Sequence, residues 1–73
     1  MKYKVRYINN IDPEDCVLEF NTEEEAERFI EEELNSCAEN NKDYNYDYGD
    51  FGNTTDFWIC DGAEYYSWER MWY

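Results

Sequence analysis

Residues 21–40, NTEEEAERFIEEELNSCAEN, decide how the rest of this 73-residue chain is read. Thr22 stands where a helix N-cap belongs, and Glu25, three residues on, completes a capping box. Glu23, Glu24 and Glu25 crowd the first turn, where the helix dipole favours acids. Ala26, Phe29, Ile30, Leu34 and Cys37 recur at three- and four-residue spacing, so a helix from Asn21 to Asn40 carries one apolar stripe suited to burial against a sheet. The remaining surface is almost all carboxylate. Glu23 to Glu33 holds seven glutamates in eleven residues, which at about 1.5 Å rise per residue is one charge per roughly 2 Å of axis.

Outward from the helix the chain stays acidic. Nineteen acids face six bases for a formal charge of -13, and Lys2, Lys4 and Arg6 all precede the first acid. From Tyr7 onward only Arg28, Lys42 and Arg70 oppose the carboxylates. Such a surface repels nucleic acid and anionic membrane and steers the protein towards basic partners. An aromatic content of 21% argues for a folded chain, because disordered acidic segments are poor in aromatics. The length fits one domain, residues 1–73, burying only about 60% of its unfolded surface. Cys16, Cys37 and Cys60 are far apart and form no CxxC, and the chain has no histidine, so a tetrahedral zinc site lacks its usual ligands and reduced thiols are expected. No apolar run is long enough for a signal peptide or a membrane span, so a soluble, cytoplasmic protein is expected.

On the N-terminal side, Lys2 to Ile8 alternates Tyr3, Val5 and Tyr7 with Lys2, Lys4 and Arg6, the period of a half-buried strand. A turn at Asn9, Asn10, Asp12 and Pro13 leads into a second alternating run, Asp15 to Phe20, with Cys16, Leu18 and Phe20 on one face. The pair reads as a hairpin whose outer face sets lysine and arginine against acids. Beyond the helix, Asn40 or Asn41 is available for a left-handed C-cap. Tyr44, Tyr46 and Tyr48 form a short strand or extended loop, Thr54 to Cys60 is a strand rich in aromatic and β-branched residues, and Asp61-Gly62 is a two-residue hairpin signal. Ala63 to Tyr73 returns as the last strand, with Tyr66, Trp68, Arg70 and Trp72 on one face, although Tyr65, Trp68, Glu69 and Trp72 also fit helical spacing. The expected fold is α+β, a two-layer sandwich of an antiparallel β-β-α-β-β sheet with one helix packed on it and room for one extra short strand.

Three groups of residues carry candidate chemistry. Asp43, Asn45 and Asp47 match the first positions of a calcium loop, but Tyr48 stands where glycine is needed and Thr54 where a bidentate glutamate belongs, so no metal site is assigned. The same tyrosines suit a recognition surface, offering large, stiff contact area with a polar tip. Aromatics of the last third, beyond those needed for the core, have no basic groove beside them for stacking on bases and fit a protein partner better. Catalysis has little support: there is no histidine, no serine with a base and no glycine-rich phosphate loop, so neither enzyme activity nor a cofactor is expected.

The acidic helix is the strongest of the three. Glu23, Glu27 and Glu31 stand at successive i, i+4 positions, where like charges destabilise a helix, and only Arg28 lies between Glu24 and Glu32 to relieve them. Repulsion tolerated in this way suggests a charge that is used. Its linear density is close to that of B-DNA, about one charge per 1.7 Å. The length, the charge, the TEEEAERFIEEEL helix and the aromatic-acidic C-terminal half together resemble the small acidic inhibitors of phages and mobile elements, anti-CRISPR proteins and DNA mimics among them. That resemblance, one of type, implies a stoichiometric inhibitor in the bacterial host cytoplasm that blocks the nucleic-acid channel of a CRISPR-associated nuclease or another basic DNA-binding protein, without itself binding nucleic acid. Glu23, Glu24, Glu27, Glu31 and Glu32 then stand in for phosphates, and Tyr46, Asp47, Tyr48, Asp50 and Trp68 form a second contact patch. Charge reversal at Glu27 and Glu31 is expected to weaken binding without unfolding. The alternative is a small accessory domain that forms a homodimer through an aromatic sheet face.

Overall fold

A computed structural model describes residues 2–10, 16–60 and 64–73. Its elements follow the chain as β1 (Tyr3–Asn9), β2 (Cys16–Phe20), α1 (Glu23–Asn40), β3 (Tyr46–Asp50), β4 (Thr54–Ile59) and β5 (Tyr65–Arg70). The five strands form one antiparallel sheet in the order β2-β1-β5-β4-β3, and α1 packs across one face, giving an α+β fold of two layers. The extra short strand is β3. The last strand lies in the middle of the sheet, between the first and the fourth, so β1 and β5 join the two ends of the chain. The short β2 and β3, five residues each, are the edges.

Alternation sorts every strand into an inner and an outer face. The inner face carries Tyr3, Val5 and Tyr7 of β1, Thr55, Phe57 and Ile59 of β4, and Tyr66, Trp68 and Arg70 of β5, as the register pairs Tyr7 with Trp68, Thr55 with Trp68 and Phe57 with Tyr66. Against it lies the apolar stripe of α1: Ala26 and Ile30 are buried, with Phe29, Leu34 and Cys37 packed at the margin. Val5, Phe57 and Trp68 are fully enclosed. With so few aliphatics, rings fill the layer between. Tyr7 stacks on Trp68 at 5.6 Å, Tyr46 on Phe57 at 5.0 Å, and Phe20 of the sheet meets Phe29 of the helix at 5.2 Å.

Thr22 caps the helix as its position implies, its Oγ1 accepting the Glu25 backbone N–H at 3.1 Å. The C-terminal end differs from expectation. Asn41 has φ -120°, and no non-glycine residue among those described is left-handed. Instead the Asn41 side chain donates to the Cys37 carbonyl at 2.8 Å and its backbone N–H donates to Cys37 and Ala38, so the last turn is closed without a left-handed residue.

Two further expectations shift. The tail is strand rather than helix but stops at Arg70, with Met71 and Trp72 in a turn. On the outer face Lys4 does meet Glu19 at 3.7 Å, whereas Arg6 stands opposite Val17 on β2 and finds Glu69 on β5 at 3.7 Å. Asp47 lies in β3, within the stretch read as a short strand or extended loop. The Asp12-Pro13 and Asp61-Gly62 turns lie outside the described residues. Replacing Thr22 with alanine removes one cap hydrogen bond and is expected to lower unfolding stability by about 1 kcal/mol, read as a shift of the urea midpoint with unchanged slope.

Candidate protein-binding surface

The surface is organised by a side chain whose neighbours in β5 are apolar. Arg70 shares the inner face with Trp68 and is only 5% exposed. A buried guanidinium must be paired, and this one is. Its Nε and Nη2 donate to Oε2 and Oε1 of Glu27 at 2.5 and 2.8 Å, a two-pronged contact with α1. Its Nη1 donates to the Gly52 carbonyl at 3.1 Å, Asp50 Oδ2 lies 3.5 Å from Nη2, and its backbone N–H donates to Asn53 at 2.6 Å. Hydrogen bonding to Glu27 raises the Arg70 pKa further above its already high value and outweighs burial. The turn cooperates: Gly52 has φ +90°, which suits glycine, and its N–H donates to Asp50 Oδ1 at 3.0 Å. One cation thus ties helix, central strand and the β3–β4 turn together.

Beside this knot the acids gather. Glu23, Glu24, Glu27, Arg28 and Glu31 line a shallow depression of about 650 Å³ along α1. Glu27 and Glu31 also border a smaller cleft of about 340 Å³ between α1 and edge strand β3, where Tyr48 and Asp50 form the opposite rim. Helix acids and part of the β3 patch therefore make one continuous surface. The other bases are occupied elsewhere: Lys4 with Glu19, Arg6 with Glu69, Lys42 with Glu39 at 3.4 Å, and Lys2 with the Asn21 side chain at 2.9 Å. Arg28 is the one cation other than Arg70 bordering either hollow.

Several residues expected at the surface are placed differently. Glu27 is not a free carboxylate but the counter-ion of Arg70. Its charge is spent inside the protein, and the repulsion along Glu23, Glu27 and Glu31 is relieved from the sheet rather than by Arg28 alone. Trp68 is 0% exposed and offers no contact area, because its strand lies at the centre of the sheet beneath the helix. Tyr46 is half-buried against Phe57. Asp47 alternates with Tyr46 and Tyr48, so the pleat turns it to the outer face, away from Asp50, and its Oδ1 accepts the Tyr48 N–H at 2.8 Å. Glu32 is exposed but sits about 100° round the helix from Glu31, on the far flank. Sequence reading missed Arg70; the signal was a charge in a stripe otherwise aromatic.

Among the described residues, the outer face of the sheet carries the aromatics Trp58 and Tyr65, with the ring of the exposed Phe51 lying over Gly49, among Arg6, Ile8, Val17, Asp56 and Glu69. The thiols are unpaired, Cys16 and Cys60 exposed and Cys37 half-buried. Burial, then Glu33 and Glu64, push the Cys37 thiol up to about 11, and burial with Glu64 pushes the Tyr66 hydroxyl up to about 12. Among the described residues no cluster suited to a metal ion occurs and no helix is long and apolar enough to cross a membrane.

Compared with protein-family models, curated proteins and solved structures, the chain gives no match.

Two outcomes follow from this geometry. Glu27→Lys places a second cation against a buried one and is expected to destabilise the fold by about 3 kcal/mol, the low end for a broken buried pair because water reaches Glu27. Glu31→Lys should stay within about 0.5 kcal/mol of the parent, both read by urea unfolding. Cys37 and Tyr66 hold their protons to higher pH when folded, so above pH 9 the unfolded chain binds fewer protons and stability should fall as pH rises through about 11 to 12. Thermal melts across that range check the sign, and at pH 8 Cys16 and Cys60 should alkylate well before Cys37.

Proposed function

We propose that this protein is a non-enzymatic inhibitor that binds the basic, nucleic-acid-binding surface of a bacterial protein, such as a CRISPR-associated nuclease, and excludes nucleic acid from it. The observation that supports this reading most is the placement of the free charge. Glu23, Glu24 and Glu31 on α1 and Asp50 on β3 share one continuous surface, while three of the chain's six bases neutralise acids elsewhere. A helix carries closely spaced carboxylates on a fixed scaffold, much as a duplex carries phosphates, and a groove built for one accepts the other. Glu27 contributes by anchoring the helix rather than by contacting the partner. The type resemblance to small acidic phage inhibitors agrees with this chemistry.

The test is a pull-down from nuclease-treated bacterial lysate with the tagged parent and with Glu23→Lys/Glu24→Lys/Glu31→Lys, which leaves the Arg70 pair intact. The parent should retain a nucleic-acid-binding protein that is displaced by added DNA or RNA and lost at high salt, where charge-driven contacts are screened; the triple variant should retain none. Retention that ignores salt, competitor and charge reversal, or a tight homodimer persisting at high salt, would contradict the proposal.

A further inference from the structure

The face of the sheet turned away from α1 carries a second cluster that the core does not call for. Asp47 and Gly49 of β3, Asp56 and Trp58 of β4, and Tyr65 and Ser67 of β5 share that face, with Gly49 beside Asp56 and Trp58 between Asp47 and Tyr65. Phe51 folds its ring back over Gly49, where a Cβ would stand 2.9 Å from the ring, so only glycine lets the ring lie on the strand. Asp56 is fixed from the next strand: its Oδ1 accepts the Ser67 hydroxyl at 2.7 Å and its Oδ2 the Tyr65 hydroxyl at 3.2 Å. Ser67 is only 7% exposed, so this carboxylate stands on a buried support. No cation among the described residues pairs with Asp56 or Asp47. On the inner face neighbouring rings pack against one another, whereas Trp58 and Tyr65, direct partners across their strands, make no ring contact, and neither does Phe51. Covering a bare glycine accounts for a ring over Gly49. It does not account for Phe51 and Tyr65 remaining 60% and 40% exposed around one oriented carboxylate without a counter-ion.

We infer that this patch binds an arginine side chain of a protein partner, the flat face of its guanidinium against the rings of Phe51 and Trp58 and its edge donating to Asp56. Charge decides the class of guest. Asp47 and Asp56 are without a cation, so an anionic or plain apolar guest would strip water from two carboxylates and give nothing back. Asp56 has acceptor capacity left, since a carboxylate offers about four lone-pair sites and Ser67 and Tyr65 take one each. Geometry then favours arginine over lysine. A guanidinium is planar, stacks on aromatic faces while donating from its edge, and is weakly hydrated, whereas a compact ammonium keeps its water on an open surface. The patch lies across the sheet from the acidic helix, so it is a separate contact that does not depend on Glu23, Glu24 or Glu31.

The test is an NMR titration of the labelled full chain, at physiological salt, with acetyl-Gly-Arg-Gly-amide, its lysine counterpart and its uncharged citrulline counterpart. The arginine peptide should shift the Trp58 indole N–H and the Ser67 amide saturably, more tightly than the lysine peptide, and the citrulline peptide should not. Asp56→Asn, which keeps an oxygen for Ser67, should weaken binding by roughly tenfold, the value of one charge-assisted hydrogen bond. Phe51→Leu still covers Gly49 but has no aromatic face, and should weaken binding by about twofold to fivefold while melting close to the parent. Glu23→Lys/Glu24→Lys/Glu31→Lys should keep the Trp58 shift. Equal response to arginine and citrulline, shifts confined to α1, or unchanged affinity in both Asp56→Asn and Phe51→Leu would overturn the inference, as would loss of the Trp58 shift in the helix variant. Because the two sets of substitutions lie on opposite sides of the sheet, failure of this patch leaves the helix reading standing, and failure of the pull-down leaves this patch standing.

Discussion

A guanidinium buried beneath the helix constrains the rest of this protein. Removing a charge from water is expensive unless a partner and further hydrogen bonds replace the lost solvation. Arg70 obtains them from three separate parts of the chain: Glu27 on α1, the Gly52 carbonyl and Asp50 in and before the β3–β4 turn. Each requirement fixes something. Glu27 sets how the helix is rotated on the sheet, Gly52 sets the turn, and Asp50 holds the end of the edge strand beside the helix. A small chain with a thin aliphatic core gains from this a defined geometry that ring packing alone would leave looser.

The same constraint decides how the negative charge is deployed. Seven glutamates between Glu23 and Glu33 repel one another along the helix, yet the middle member of the Glu23, Glu27, Glu31 series is neutralised from the sheet. Helix stability is thereby reconciled with a surface that stays strongly acidic. Lys4, Arg6 and Lys42 are engaged away from that surface, so Glu23, Glu24 and Glu31, with Asp50 at the gap between helix and edge strand, keep it negative.

Elements whose signal is local were legible in the sequence. The Thr22 cap, the Ala26 and Ile30 stripe and the alternation in β1, β2, β4 and β5 follow from neighbours a few residues apart, and they sufficed for the two-layer α+β architecture. Alternation says which residues share a face but not which strand is central. Hence Trp68 read as contact surface while it sits under the helix on the middle strand, and Asp47 and Asp50 read as one patch while the pleat and the edge separate them. Glu27 was indistinguishable from its neighbours because its partner lies 43 residues away. The inward charge at Arg70 was visible in the aromatic stripe, and it called for a glutamate flanking the apolar face of α1.

The measurement that bears most directly on this account is a double-mutant cycle on the pair, with Glu27→Gln, Arg70→Met and the combination compared by urea unfolding. If the pair organises the fold, each single variant should lose stability and the double variant should lose much less than their sum, a coupling of about 1–3 kcal/mol. Losses that simply add would show that the two side chains do not act together, and the central role given to Arg70 would be wrong.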